Sequence, residues 1–235
     1  TFDSAHVEQI TTANSALLDN SVYTFAESSR NLLWIGTDGD GLNYYSYHDR
    51  KIHKLAVPEE LRFIHTLRET APDTLWVASV GCGVFRITLG GPQSRPEIRE
   101  FKRLHFNEEL EVKKFFFALY EQNDSIMWFG NRGGGAVRYN SRTGTHHVVK
   151  FDRNRSAIVN DIFAIHHSRD NNLWFGTSGG LMQIGRDTTL VPGITNTVHG
   201  ILEDRKGDLW LSTNRGLVQY TPATGNVVTY GYSYG

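Results

Sequence analysis

"NLLWIGTDGDGLNYYS", residues 31–46, sets an apolar strand containing a tryptophan directly before a Gly-Asp-Gly turn. Nearly the same arrangement returns four times along the 235-residue chain, as "DTLWVASVGCGVFRI", "SIMWFGNRGGGAVRY", "NNLWFGTSGGLMQIG" and "GDLWLSTNRGLVQYT". All five tryptophans fall in these stretches: Trp34, Trp76, Trp128, Trp174 and Trp210, separated by 42, 52, 46 and 36 residues. That is the spacing of four-stranded propeller blades.

Each tryptophan is preceded by Leu33, Leu75, Met127, Leu173 or Leu209 and followed by Ile35, Val77, Phe129, Phe175 or Leu211. Apolar residues at consecutive positions mark a strand covered on both faces, as a blade is between two neighbours. A small residue comes next, Gly36, Ala78, Gly130, Gly176 or Ser212. It fits a point where a bulky side chain of the adjoining blade approaches closely. The indoles then act as structural wedges between blades, each burying about 150–250 Å².

A second set of columns precedes the first. Twelve residues before each Trp stand Val22, Ile64, Phe116, Ile162 and Val198; ten before, the small Thr24, Thr66, Ala118, Ala164 and Gly200. Nine before are Phe25, Leu67, Leu119, Ile165 and Ile201, and seven before are Glu27, Glu69, Glu121, His167 and Glu203. These columns predict a buried inner strand ending in a polar hairpin, with the Glu accepting backbone N–H bonds from that turn. After the Gly-rich turn, where Gly supplies φ > 0, a third strand such as "GLNYYS" and a more polar outer strand such as "NVVTYGY" follow.

The predicted fold is therefore an all-β propeller of four-stranded antiparallel blades, five of them visible. Blade boundaries fall at 21–57, 58–106, 107–151, 152–193 and 194–235. Residues 1–20 read as an outer strand, His6–Ile10, and a connection. That strand either closes a five-bladed ring or belongs to a larger propeller, seven-bladed or double. The start at Thr1 without Met favours the larger one.

Charge is balanced, with 24 basic and 25 acidic residues. This gives no footprint for nucleic acid or for direct contact with an anionic membrane. A lone cysteine, Cys82, makes no internal disulfide. No apolar run approaches the length of a membrane span, and no basic-then-apolar leader opens the sequence.

"LWIGTDGDGLNYY", "LWFGTSGGLMQI" and "ILEDRKGDLWLSTNRGLVQYTPATG" closely resemble the two-component regulator propeller repeat of hybrid two-component systems in gut Bacteroidetes. The resemblance runs from about Asn20 to Tyr230. Blade two departs from it with Ala78-Ser79 for Gly-Thr, and blade three with Asn131 for Thr. The resemblance implies part of a periplasmic ectodomain that recognises glycan-derived oligosaccharides, in a parent protein that dimerises and carries a sensor histidine kinase outside this sequence. By itself such a fragment would be no enzyme and would need no cofactor.

Ligands meet propellers on the end where the turn between strands two and three lies beside the lead-in to the innermost strand. Candidate ligand-binding residues there are Asp38, Asp40, Asn131, Arg132, Asn214 and Arg215, with His65 and His199 near the start of inner strands. Arg and Asp beside aromatics suit sugar hydroxyls, carboxylates or sulfates. No catalytic or metal set emerges. "DGDGLN" has Leu42 and Asn43 where a calcium loop wants an oxygen ligand and Gly. The pairs His146-His147 and His166-His167 are adjacent in strands and point to opposite faces. An enzyme of the streptogramin-lyase type and a protein-docking propeller are the alternatives. Only His65 and His199 hint at the first, and the Trp-Asp and Gly-His dipeptides of WD repeats are absent in blade register.

Overall fold

The computed structural model describes residues 8–39, 41–151, 157–185 and 188–231. The chain divides into two compact units, Thr1–Leu104 and His105–Gly235. The first holds two four-stranded antiparallel sheets. One is β1 (Val22–Ser28), β2 (Leu32–Thr37), β3 (Leu42–Ser46) and β4 (Lys51–Lys54); the other is β5 (Ile64–Ala71), β6 (Thr74–Ser79), β7 (Gly83–Gly90) and β8 (Glu97–Arg103). In the second unit a five-residue helix α1 (Glu108–Val112) leads into β9 (Phe116–Asn123), β10 (Ile126–Asn131), β11 (Gly135–Asn140) and β12 (His146–Val149). Two more sheets follow: β13 (Ile162–His167), β14 (Leu173–Thr177), β15 (Gly180–Ile184) and β16 (Thr188–Leu190), then β17 (Val198–Glu203), β18 (Leu209–Thr213), β19 (Gly216–Thr221) and β20 (Asn226–Tyr230).

Every sheet has its strands in chain order, the meander that hairpin-linked antiparallel strands produce. The all-β, four-stranded antiparallel architecture expected of propeller blades is thus the one observed. The outer strand expected at His6–Ile10 has its first two residues outside the described set, and Glu8–Ile10 lie in no strand. Helix α1 was not anticipated. Its Asn107 N-cap accepts from the Leu110 N–H, and three glutamates occupy its first turn, where the helix dipole favours negative charge.

Within each unit, sheets meet through the Trp strands. Trp34 packs among Leu75, Val77 and Phe85 of the next sheet. Trp128 does so with Leu173 and Phe175, and Trp174 with Leu209, Leu211 and Tyr220. Trp76 is buried with the Arg86 guanidinium 5.8 Å from its ring. Trp210 differs: it is half-buried and stacks on Tyr230 of its own sheet, with ring centroids 5.6 Å apart.

The small residue after the Trp is where adjacent sheets come closest. A Cβ on Gly36 would stand 2.6 Å from Ile64 Cγ2, and one on Gly130 2.7 Å from Ile162 Cγ2. On Gly176 it would stand 2.7 Å from the Val198 carbonyl oxygen. Ile64, Ile162 and Val198 are one column, twelve residues before the next Trp, so one steric rule repeats at each of these seams.

The hairpin glutamates correct one expectation. Glu69 accepts from the Ser29 N–H, and Glu203 from the Arg169 N–H, both in the preceding sheet's hairpin rather than their own. Glu69 also takes the Trp34 indole N–H. A carboxylate reaching one sheet back satisfies turn donors that water would otherwise serve, and it ties the two hairpins together. Elsewhere the indole N–H finds an acceptor six residues earlier in its own sheet: Thr70, Gln122, Ser168 and Asp204.

Candidate functional site

In the first four sheets along the chain, the turn after the Trp strand sits beside the residue that leads into the innermost strand. Asp38, Val80, Arg132 and Ser178, each four residues after its Trp, donate their backbone N–H to the carbonyls of Ser21, Phe63, Phe115 and Asp161. These bonds, 2.9 to 3.1 Å long, bring the two loop segments together at one end of those four sheets.

At that end the inner strand carries a β-bulge in all five sheets. The register slips between Val22 and Thr24, Ile64 and Thr66, Ile162 and Ala164, and Val198 and Gly200, and in β9 across Phe117. The residue at the slip is aromatic every time: Tyr23, His65, Phe117, Phe163 and His199. A bulge leaves its extra residue out of the ladder and re-aims its side chain. The rings meet from sheet to sheet. Tyr23 stacks on His65 at 5.2 Å; Phe117 meets Phe163 at 5.3 Å, and Phe163 meets His199 at 5.5 Å. Tyr23 and His199 are exposed, the other three partly so.

Polar turn groups stand against the exposed rings. The Tyr23 hydroxyl donates to Asp38 Oδ2 at 3.3 Å, and the Asp38 charge beside it raises the phenol above its ordinary range. His199 Nε2 pairs with Asn214 Oδ1 in the same relationship. The candidates Asp38, His65, His199 and Asn214 therefore belong to one structural set, spread over both units. Arg132 and Arg215 are exposed in equivalent turns. Asp40 lies outside the described residues.

Asn131 is corrected. It is fully buried rather than presented on the turn's surface, and its amide donates to the Lys113 carbonyl, so it braces the loop from within. The physical reason is its place in the Thr column. Thr37, Thr177 and Thr213 donate their hydroxyls to the carbonyls of Gly41, Gly180 and Gly216 across the turn. Where the sequence departs from Thr, Ser79 and Asn131 reach the lead-in segment instead, at Arg62 and Lys113.

The bulged aromatic column went unread in the sequence apart from its two histidines. The signal was present: bulky apolar residues stand twelve and nine places before each Trp, an odd separation that breaks strand alternation and marks an extra residue between them. The two adjacent histidines of β13 do diverge. His166 faces Glu203 in the next sheet, and the His167 ring lies 6.1 Å from Tyr120 in the previous one. Among the described residues, no three His, Cys, Asp or Glu side chains gather as a metal site, and no helix is long and apolar enough to cross a membrane.

Comparison with known proteins agrees with this architecture. The two component regulator propeller family matches residues 16–39, 156–179 and 192–215. Over 134 residues, 53% of this chain and 9% of the relative, the sequence is 28% identical to histidine kinase P4 of Formosa agariphila. The extracellular domain of the hybrid two component system BT3049 from B. thetaiotaomicron superimposes with a TM-score of 0.72 at 18% identity, over all of this chain and 31% of that one. A virginiamycin B lyase from Staphylococcus aureus gives 0.66 at 17% identity, over 91% of this chain and 70% of that one. The chain thus spans under a third of the first two proteins' compared lengths. The chain is a β-propeller of four-stranded antiparallel blades, three stretches of which match the two component regulator propeller family.

Proposed function

We propose that this chain is a ligand-sensing, extracytoplasmic propeller portion of a hybrid two-component sensor histidine kinase. On this reading it works in the periplasm, takes oligosaccharides released from glycans, and passes their arrival across the membrane within a homodimer. The observation that supports it is the aromatic residue at the bulge of every inner strand, with Asp38 and Asn214 set against the exposed rings. Apolar C–H faces of a sugar pack on such rings, while its hydroxyls bond to neighbouring polar groups. The fragment binds and does not turn its ligand over.

The test is a thermal-shift screen against a panel of neutral and acidic oligosaccharides, since a ligand held only by the native state raises the melting temperature. Hits are then titrated against Tyr23→Ala and Phe163→Ala. Binding that either variant weakens supports the reading. Binding indifferent to both removes the aromatic column from the site. Release of cleaved product in the same samples would instead favour an enzyme of the lyase kind.

A further inference from the structure

The opposite end of the second unit holds a cleft of about 540 Å³ between the β13–β14 and β17–β18 hairpins, in the size range of small-ligand sites. It is lined among others by Arg169, Trp174, Glu203, Arg205, Lys206 and Tyr220. Four carboxylates cluster at this end, and the protein itself engages each one. Glu203 takes the Arg169 N–H and pairs with the Arg169 and His166 side chains. Asp170 accepts from Ser168 and Asn172. Asp204 accepts from the Trp210 indole and two backbone N–H groups, and Asp208 from Gln219.

The cations are not engaged in the same way. Arg169 folds back onto the Asp204 and Arg205 carbonyls, which fixes the hairpin. The exposed side chains of Arg205 and Lys206 make no hydrogen bond or ion pair among the described residues, and Lys206 acts on Asp204 only through its charge. Two adjacent cations therefore stand at a cleft whose neighbouring anions are already bonded, with only the edges of the largely buried Trp174 and Tyr220 at its floor.

We propose that this cleft is a second binding site, selective for an anionic sugar, whose carboxylate or sulfate pairs with Arg205 and Lys206 at the cleft mouth while the rest of the sugar lies above the edge of Tyr220. Arg offers a planar fork that matches either oxyanion, and Lys adds a point charge. The anionic group follows from the cleft itself; the sugar that carries it rests on the sensing role proposed above. The site is distinct from the bulged aromatics, because β14 and β18 each run from this hairpin end to the turn end.

Isothermal titration with a set of uronic-acid disaccharides, sulfated disaccharides, their neutral counterparts and inorganic sulfate tests this. The proteins are the wild-type chain, the Arg205→Ala/Lys206→Ala double variant, and Tyr23→Ala. The expected result is binding of an acidic disaccharide at least tenfold tighter than its neutral counterpart. That binding should fall at least tenfold in the double variant, weaken with added salt, and persist in Tyr23→Ala. The uronic and sulfated arms identify which oxyanion is preferred. Neutral and acidic sugars binding alike, acidic binding unchanged in the double variant, or no acidic binding at all would each overturn the proposal. Inorganic sulfate binding as tightly as the acidic disaccharides would overturn the sugar. Loss of neutral-sugar binding in Tyr23→Ala reports separately on the aromatic column.

Discussion

Tyr23 and Asp38 face each other across the first sheet's bulge and turn, the hydroxyl donating to the carboxylate at 3.3 Å, and His199 repeats the relationship with Asn214 in the last sheet. Each pair joins the residue eleven places before a Trp to the residue four places after it. In the first sheet the turn is also tied through the backbone, from the Asp38 N–H to the carbonyl of Ser21, two residues before Tyr23. A repeat that fixes two loop segments to one Trp strand can vary their side chains freely. Such an arrangement is what the ligand-sensing role proposed above requires of a structural repeat.

The seam between sheets sets the first prediction. Gly176→Ala would put a Cβ 2.7 Å from the Val198 carbonyl oxygen and 2.8 Å from Val198 Cγ1. A backbone oxygen does not swing aside like a side-chain tip, so the two sheets must separate. The expected loss is about 1–3 kcal/mol. It is measured by urea denaturation of the chain, and a loss below about 0.5 kcal/mol would show that the seam yields.

Glu69 sets the second. Burial alone would raise its carboxyl, but hydrogen bonds from Ser28, Ser29 and Trp34 outweigh that and hold it below its ordinary range. A depressed folded-state value contributes stability above the unfolded value and loses it as pH falls through the folded one. Glu69→Gln should thus lower stability at pH 7 by roughly 1 kcal/mol, since the half-exposed site is screened. The gap to wild type should close as pH drops below about 4. Paired melts at pH 7 and pH 3.5 check it; an equal gap at both would remove the charge from the account.

How much of this was legible without coordinates follows the range of each interaction. The Trp strands, the small residue after them and the hairpins are local patterns repeated five times, and they stand out against unrelated sequence. The bulged column does not. Tyr23, His65, Phe117, Phe163 and His199 differ in type, and what unites them is a register slip that only pairing reveals. Glu69 and Glu203 were visible as a column, yet their acceptor role spans two sheets, and a hairpin read alone assigns it to the wrong turn. Asn131 looked like a turn residue free to meet solvent because burial depends on the lead-in segment folding over it. Helix α1, at five residues, is too short to show a period.

The Thr column gives a third prediction. Thr177 is fully buried; its hydroxyl donates to the Gly180 carbonyl at 2.9 Å and accepts from the Gly179 N–H at 3.0 Å. Thr177→Val keeps the shape and leaves both backbone groups without that partner. The cost should be about 1–3 kcal/mol in a urea melt, with amide hydrogen exchange fastest at Gly179. Unchanged exchange there would mean that water replaces the hydroxyl.

The last prediction separates ring from hydroxyl at the proposed ligand face. Tyr23→Phe preserves the stack on His65 and removes only the bond to Asp38, whereas Tyr23→Ala removes both. Tyr23 is exposed, so neither change opens a cavity in the core, and melting temperatures should stay close to wild type. Freed from the hydroxyl, Asp38 rotates and ceases to present its oxygens at a fixed place. An oligosaccharide that uses this face should bind about five- to tenfold more weakly to Tyr23→Phe, the worth of one ordinary hydrogen bond. It should lose more again in Tyr23→Ala, where the sugar's apolar face has nothing to lie on. Equal affinities for wild type and Tyr23→Phe, with loss confined to Tyr23→Ala, would assign recognition to the ring alone and leave Asp38 as a brace for the turn.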